Sequence, residues 1–165
     1  MVTLRPLDDS NLEAVLALRI LPEQLNFVSS VADSLAEAAA EPDGRAIQWA
    51  VYDDETPVGF VMISDEVGAP GYIAQYLWKL LVDERHQRRG YGMATLNLVV
   101  QYFRGRPGVE VMWTSAGQGE GSPLPFYERY GFERTGDTVF DDEVLLRLAL
   151  SPAGAKATNP VKEEA

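Results

Sequence analysis

The chain has 165 residues, 46% of them hydrophobic, and a formal net charge of -11. That length fits one domain with a sizeable core. There is no cysteine, which excludes disulfides, thiolate metal sites and a cysteine nucleophile, and the acidic balance argues against nonspecific nucleic-acid binding.

The N-terminal MVTLRPLDD lacks the basic and then apolar runs of a secretion signal. No uninterrupted apolar run approaches the ~20 residues that a membrane helix needs. A cytoplasmic protein, with no membrane and no nucleic acid among its partners, is therefore expected. Val2 to Leu7 reads as a strand. Ser10-Asn-Leu-Glu13 is a capping-box pattern that opens a helix with Leu12, Val15, Leu16 and Ile20 on one face. Pro22 interrupts it, and a second helical pattern runs through Phe27, Val31, Leu35 and Ala38 to Pro42-Asp-Gly44. Ala46 to Tyr52 and Val58 to Ile63 read as a hairpin around Asp53-Asp-Glu-Thr56. After a loop at Gly68 to Gly71, Tyr72 to Val82 reads as one long strand.

Next comes DERHQRRGYGMAT, residues 83 to 95, in which two arginines and a glutamine run into Gly90-Tyr91-Gly92. An amphipathic helix follows, to about Phe103, and Arg104-Gly-Arg-Pro-Gly108 breaks it. Val109 to Thr114 reads as a strand, Ala116 to Gly121 as a glycine-rich loop, and Pro123 to Tyr130 as a short helix. Phe132 to Thr135 and Val144 to Leu150 complete the strands. From Ser151 the core-forming residues give way to Pro, Ala, Gly, Lys and Glu, so residues 1–150 are expected to form the domain and 151–165 a disordered tail. Hairpins before Tyr72 and alternating strands and helices after it imply an α/β or α+β fold with a mixed sheet.

A strand, a turn and a helix start together offer unpaired N–H groups to an anion. Gly90 and Gly92 keep side chains out of the way of an approaching oxyanion, the helix dipole adds about half a positive charge, and Arg88 and Arg89 add charge-assisted contacts. The two standard nucleotide motifs are absent. There is no Gly-x-x-x-x-Gly-Lys-Ser/Thr, and the third position of a Gly-x-Gly-x-x-Gly run is Thr95. A basic surface turn is the plain alternative.

Gln87-Arg-Arg-Gly-Tyr-Gly92, the strand sequence Leu77-Trp-Lys-Leu-Leu-Val82 before it, and Phe126-Tyr-Glu-Arg-Tyr-Gly-Phe132 with Thr135-Gly136 together resemble the GNAT N-acetyltransferase superfamily. Within it, Gln24-Leu-Asn-Phe-Val28 and Ser34-Leu-Ala-Glu-Ala38 are similar to bacterial diamine or spermidine acetyltransferases. The resemblance covers roughly residues 2–150. It implies a GNAT-like single domain whose central sheet is mixed, mostly antiparallel and twisted, flanked by helices and splayed at the acetyl-CoA site.

The resemblance also implies site residues. Gln87, Arg88, Arg89, Gly90, Tyr91, Gly92 and Met93 would cradle the pyrophosphate of acetyl-CoA. Leu81, Val82 and Asp83 would pair with its pantetheine arm, with an amide of Leu81 or Val82 polarising the thioester. Tyr127 would be the general acid for the departing thiolate, since phenol and thiol pKa values lie within ~2 units of each other; a packing aromatic is the alternative. Phe126 and Tyr130 are the better core candidates of that helix, and Trp113 is a further one. Ser122 would cap the helix and secondarily touch the cofactor, while Glu120 stands where relatives carry an Asn and cannot donate a hydrogen bond.

The acceptor is expected to be the amine of a small molecule, with Glu23, Gln24, Phe27 and Trp78 lining its site. Glu23, Asp65, Glu66 and Asp83 are candidate carboxylates for a polycation. His86, the only histidine, is expected to be solvated rather than catalytic. No metal site is expected. The resemblance is compatible with a homodimer. Acetylation of another amine (an aminoglycoside, an amino acid or a protein N-terminus) and a noncatalytic acyl-CoA-binding regulator are the open alternatives.

Overall fold

The computed structural model describes residues 1–150; the tail expected over 151–165 lies outside them. Seven strands form one sheet in the order β1-β2-β3-β4-β5-β7-β6. They are β1 Val2–Pro6, β2 Ala46–Asp53, β3 Thr56–Ser64, β4 Tyr76–Val82, β5 Val111–Ala116, β6 Glu133–Val139 and β7 Glu143–Ala149. Every neighbouring pair is antiparallel except β4 with β5, so the expected mixed, mostly antiparallel sheet is what forms. Helices α1 (Leu12–Leu16), α2 (Val31–Ala40), α3 (Tyr91–Arg104) and α4 (Leu124–Tyr130) flank it.

The run Gly-Phe-Val-Met-Ile in β3 is buried on both faces, because opposite faces of a strand serve alternate residues. Val61 and Ile63 pack with Leu96, Val99, Val100 and Phe103 of α3. Phe60 and Met62 pack on the other face with Val15, Leu18 and Val31 from the α1–α2 side. The core is thus two layers divided by the sheet, and no helix of the described residues is long and apolar enough to cross a membrane.

Three expectations shift. The capping box at Ser10 does not form, because the Ser10 hydroxyl donates to Asp8 instead, and α1 is a single turn ending at Leu16. The second helical segment divides into a 3-10 turn at Pro22–Asn26 and α2, where Ser30 caps by accepting from the Asp33 amide at 3.1 Å. The long strand starts only at Tyr76, since Gln75 adopts φ +52° and turns its side chain onto the Asp65 carbonyl at 2.6 Å.

At Gly59 the strands β3 and β4 lie so close that a Cβ would stand 2.5 Å from the Leu81 carbonyl oxygen. That neighbour is backbone and cannot step aside without moving β4. Gly59→Ala is therefore expected to lower stability by about 2–3 kcal/mol in urea unfolding, at the upper end of overpacking costs.

Candidate active site

The parallel pair β4–β5 meets only at Tyr76–Trp113 and Leu77–Thr114. Beyond that point the strands diverge. Trp78 is an extra residue in β4, between Lys79 opposite Met62 and Leu77 opposite Ile63, and a bulge of this kind bends its strand. β5 is held along its whole length by β7, from Val111–Ala149 to Ala116–Val144. The result is an opening between Trp78–Val82 and the end of β5.

Two clefts occupy the opening. One, of about 540 Å3, is lined by Leu80 to Val82, the residues from Gln87 to Met93 except Arg89, and Gly121 to Pro123 with Phe126. The other, of about 410 Å3, is lined by Phe27, Trp78, Tyr76, Ser115, Glu37 and Glu143 among others. Val28, Leu80, Pro123 and Tyr127 line both. Tyr127 therefore stands where the two clefts meet.

The glycine turn has the geometry its sequence suggests. Arg88 (φ +65°) and Gly90 (φ +84°) both lie in the left-handed region, a pattern that gathers backbone N–H groups into an anion-binding concavity. The first helical amide to find a backbone acceptor is that of Ala94, on Gly90 at 3.0 Å, so the N–H groups of Tyr91, Gly92 and Met93 remain available. A Cβ on Gly92 would meet the Phe126 ring at 3.0 Å, which is why α3 and α4 can close around the slot. These unpaired amides and the apolar wall of Leu80, Met93 and Phe126 suit a ligand with a phosphate end and an uncharged arm.

The other turn residues brace it. The Gln87 amide donates to the Val82 carbonyl and to Gln24 Oε1, both at 2.9 Å. The Tyr91 hydroxyl donates to Asp53 at 2.6 Å. Arg88 lines the cleft, whereas Arg89 is exposed and outside its lining. The Ser122 hydroxyl accepts from the Leu124 amide at 3.1 Å while donating to Gly117 O, but the N-cap position of α4 is Pro123 rather than the expected Ser122. Glu120 is exposed and lines neither cleft. Its loop runs beside the Phe27 ring, where a Cβ on Gly117 or Gly119 would make only ordinary contact at 3.5–3.6 Å; glycine is favoured at Gly119 and Gly121 by their φ of +130° and +87°.

Other residues take different places from those expected. Asp83 is 0% exposed and outside the cleft lining. Its carboxylate accepts from the Arg19 amide at 2.9 Å and from Arg85 Nε at 2.7 Å. Burial would raise its pKa, but these bonds outweigh burial and hold it below the usual carboxylate range. The Asp83 amide bonds to Val58 O. Antiparallel alternation then turns the Leu81 backbone toward β3 and leaves Leu80 and Val82 facing the opening. Leu80, not Leu81, is the residue beside Val82 that offers an outward amide.

Of the four residues expected at an acceptor site, Glu23 and Gln24 lie on the glycine-turn side, while Phe27 and Trp78 line the second cleft. Asp65 and Glu66 lie outside both and pair with Arg106 at 2.7 and 3.0 Å. His86 is half-buried, its ring edge-on to Tyr91 with centroids 6.3 Å apart, and it lines neither cleft. Trp113 is only half-buried.

The second cleft carries charge beyond the carboxylates expected from sequence. Glu37 accepts from Trp78 Nε1 at 2.6 Å and pairs with Lys79 at 3.1 Å, and Glu41 accepts from the Tyr72 hydroxyl at 3.1 Å. Glu143 accepts from the Ser115 hydroxyl at 2.7 Å. Three carboxylates against the single ammonium of Lys79 leave the cleft anionic, among the rings of Phe27, Tyr72, Tyr76, Trp78 and Phe140. The i, i+4 spacing of Glu37 and Glu41 on one helical face is a readable signal; for Leu80, Tyr76 and Glu143 the sequence offers none.

Tyr127 is 6% exposed and belongs to the central core, more deeply than Phe126 or Tyr130. Burial pushes its phenol up to about 12, while the neighbouring Thr114 hydroxyl acts to lower it. The phenol is thus fully protonated at any physiological pH. The gap to an ordinary thiol widens beyond the sequence-based ~2 units, but burial raises the pKa of a thiol in the same slot too.

The chain matches the model of the acetyltransferase (GNAT) family over residues 13–132. It is 24% identical to the spermine/spermidine N(1)-acetyltransferase of Bacillus subtilis over 154 residues, 88% of this chain and 96% of the relative. Among solved structures it is similar to the PaiA N-acetyltransferase of Thermoplasma acidophilum in complex with coenzyme A (TM-score 0.59, 15% identity, covering 90% of this chain and 99% of the other). A spermidine/spermine N-acetyltransferase of Vibrio cholerae matches with a TM-score of 0.62 at 18% identity, over 95% of this chain and 97% of the other.

Proposed function

The chain belongs to the acetyltransferase (GNAT) family and uses acetyl-CoA, and from that premise we propose that it acetylates a primary amine of a small polycation, of the polyamine class. The observation that carries this reading is the anionic, aromatic cleft that meets the glycine-turn cleft at Tyr127 and Leu80. Carboxylates and π-faces are the groups that hold alkylammonium chains. The similarity to the Bacillus subtilis relative points the same way.

In this reading the amides of Tyr91 to Met93 and the Arg88 side chain take the pyrophosphate. Gln87 and Tyr91 brace the turn. Leu80 and Val82 face the pantetheine arm and, with their outward backbone, the thioester carbonyl. The acceptor nitrogen attacks that carbon directly, since no cysteine exists to carry an acyl group. Tyr127, at the junction, gives its phenolic proton to the departing sulfur. Residues 1–150 carry the whole activity.

The test is release of free thiol from acetyl-CoA against spermidine, spermine, putrescine, an aminoglycoside and peptides. Saturable release with the polyamines is expected. Release with only the peptides or the aminoglycoside overturns the acceptor class and leaves the family intact. Glu41→Gln is expected to raise KM for spermidine about fivefold with kcat unchanged, the effect of one exposed charge on a cation. Steady-state kinetics at two salt concentrations checks it, because screening shrinks the difference.

A further inference from the structure

We propose that Glu143 is the proton acceptor for the attacking amine, reached through the hydroxyls of Tyr76 and Ser115. This rests on the amine-acceptor reading above and adds the missing base.

A primary ammonium near pKa 10 must lose a proton before its nitrogen can attack. In the acceptor cleft three side chains from three strands form one chain of hydrogen bonds. The Tyr76 hydroxyl of β4 lies 2.5 Å from Ser115 Oγ of β5, and Ser115 Oγ donates to Glu143 Oε1 of β7 at 2.7 Å. All three line the cleft. A serine hydroxyl has one proton, and here it is committed to the carboxylate. Tyr76 therefore donates to Ser115, and its remaining lone pairs are left for a donor from the cleft. The polarity runs one way, from the cleft to Glu143.

The position of each member suits the task. Tyr76 is buried at 7% exposure, and burial holds its phenol well above the ordinary range, so it passes a proton without ionising. Glu143 is half-buried, at the start of β7 beside the exposed Phe140 turn, and can hand its proton to water. Thr114, the residue before Ser115, stands beside Tyr127. The acid and the relay thus flank the same junction. Around Glu143, β4 contributes Tyr76 and Lys79, α4 contributes Tyr127, α2 and its end contribute Glu37 and Glu41, and its own turn contributes Asp141 and Asp142. Opposite it on β6 stands the uncharged Val139.

The balance closes. One ammonium proton passes to Tyr76 as the tyrosine proton moves to Ser115 and the serine proton to Glu143. The free nitrogen pair forms the C–N bond, the C–S bond breaks with its electrons on sulfur, and Tyr127 protonates that sulfur. The second nitrogen proton restores Tyr127, and Glu143 releases its proton to water.

The test is the pH dependence of kcat for wild type, Glu143→Gln and Ser115→Ala with whichever panel amine is turned over. Expected is a kcat about 100-fold lower at pH 7 in both variants, within the usual range for general base catalysis. The deficit should shrink toward pH 10 as the amine deprotonates unaided, with acetyl-CoA affinity by calorimetry unchanged. Parallel pH profiles, or a change confined to KM for the amine, overturn the relay and leave the acceptor reading standing. A wild type that releases thiol with no amine overturns both.

Discussion

Tyr127→Phe is expected to lower kcat by about 100-fold or more, with KM for acetyl-CoA and for the amine unchanged. The substitution keeps the ring that packs against Phe126 and Phe132, with centroids 5.5 and 5.6 Å away. It removes only the hydroxyl of a residue that lines both clefts. A group acting on the departing sulfur alone is absent from ground-state binding, so its loss falls on kcat. An unchanged kcat across the whole pH range would refute the acid role.

The same substitution has a stability signature with a fixed sign. The Tyr127 phenol is raised to about 12 in the folded protein, against about 10 in an unfolded chain. A raised pKa gives stability that is complete below pH 10 and is lost as pH rises from 10 to 12. The loss is on the order of 3 kcal/mol. Tyr127→Phe should therefore flatten the alkaline fall of Tm in that window. It should leave stability near pH 7 within about 1 kcal/mol of wild type, the net worth of one hydrogen bond. Part of the alkaline fall persists in the variant, because buried Tyr76 is raised as well.

Gly92→Val is the second large effect, here on the cofactor. KM for acetyl-CoA is expected to rise about 100-fold. The first added carbon already stands 3.0 Å from Phe126 Cζ and 3.3 Å from Cε1. A branched side chain must displace the ring, and with it the junction of α3 and α4. The amides of Gly92 and Met93 then sit away from their anion, and a misplacement of about 1 Å costs roughly 100-fold. Calorimetric titration with coenzyme A separates this from a defect in the chemical step. Full affinity in a folded variant would remove the turn from the cofactor site. The tyrosine and glycine variants thus dissect one site along the β4–β5 opening: one loses turnover and keeps binding, the other loses binding first.

The geometry of the glycine turn is legible in the amino-acid sequence alone, because its parts are neighbours along the chain. Strand end, Gln87, Arg88, Gly90 and Gly92 fall within one window of local backbone geometry, and that geometry follows from residue type. Tyr127 is legible only through the surrounding Phe126-Tyr-Glu-Arg-Tyr-Gly-Phe132 resemblance; its periodicity points away from the core it occupies. The order of strands and helices follows from hydrophobic alternation and turn residues, with errors where polar side chains choose a local partner. Ser10 on Asp8 and Gln75 on Asp65 are two such choices.

The cleft proposed to take the acceptor is decided only by tertiary structure. Glu37, Tyr76, Ser115 and Glu143 come from a helix and three strands up to 106 positions apart, and no local pattern links them. Their meeting depends on the single parallel strand pair, on the bulge at Trp78 and on where the two halves of the sheet part. The side of the sheet to which a backbone amide points also depends on pairing register, which moves the outward role from Leu81 to Leu80. Sequence determines the chemistry of the turn because short-range sterics are encoded residue by residue. Register and the divergence of strands are long-range properties, settled by the packing of the whole core.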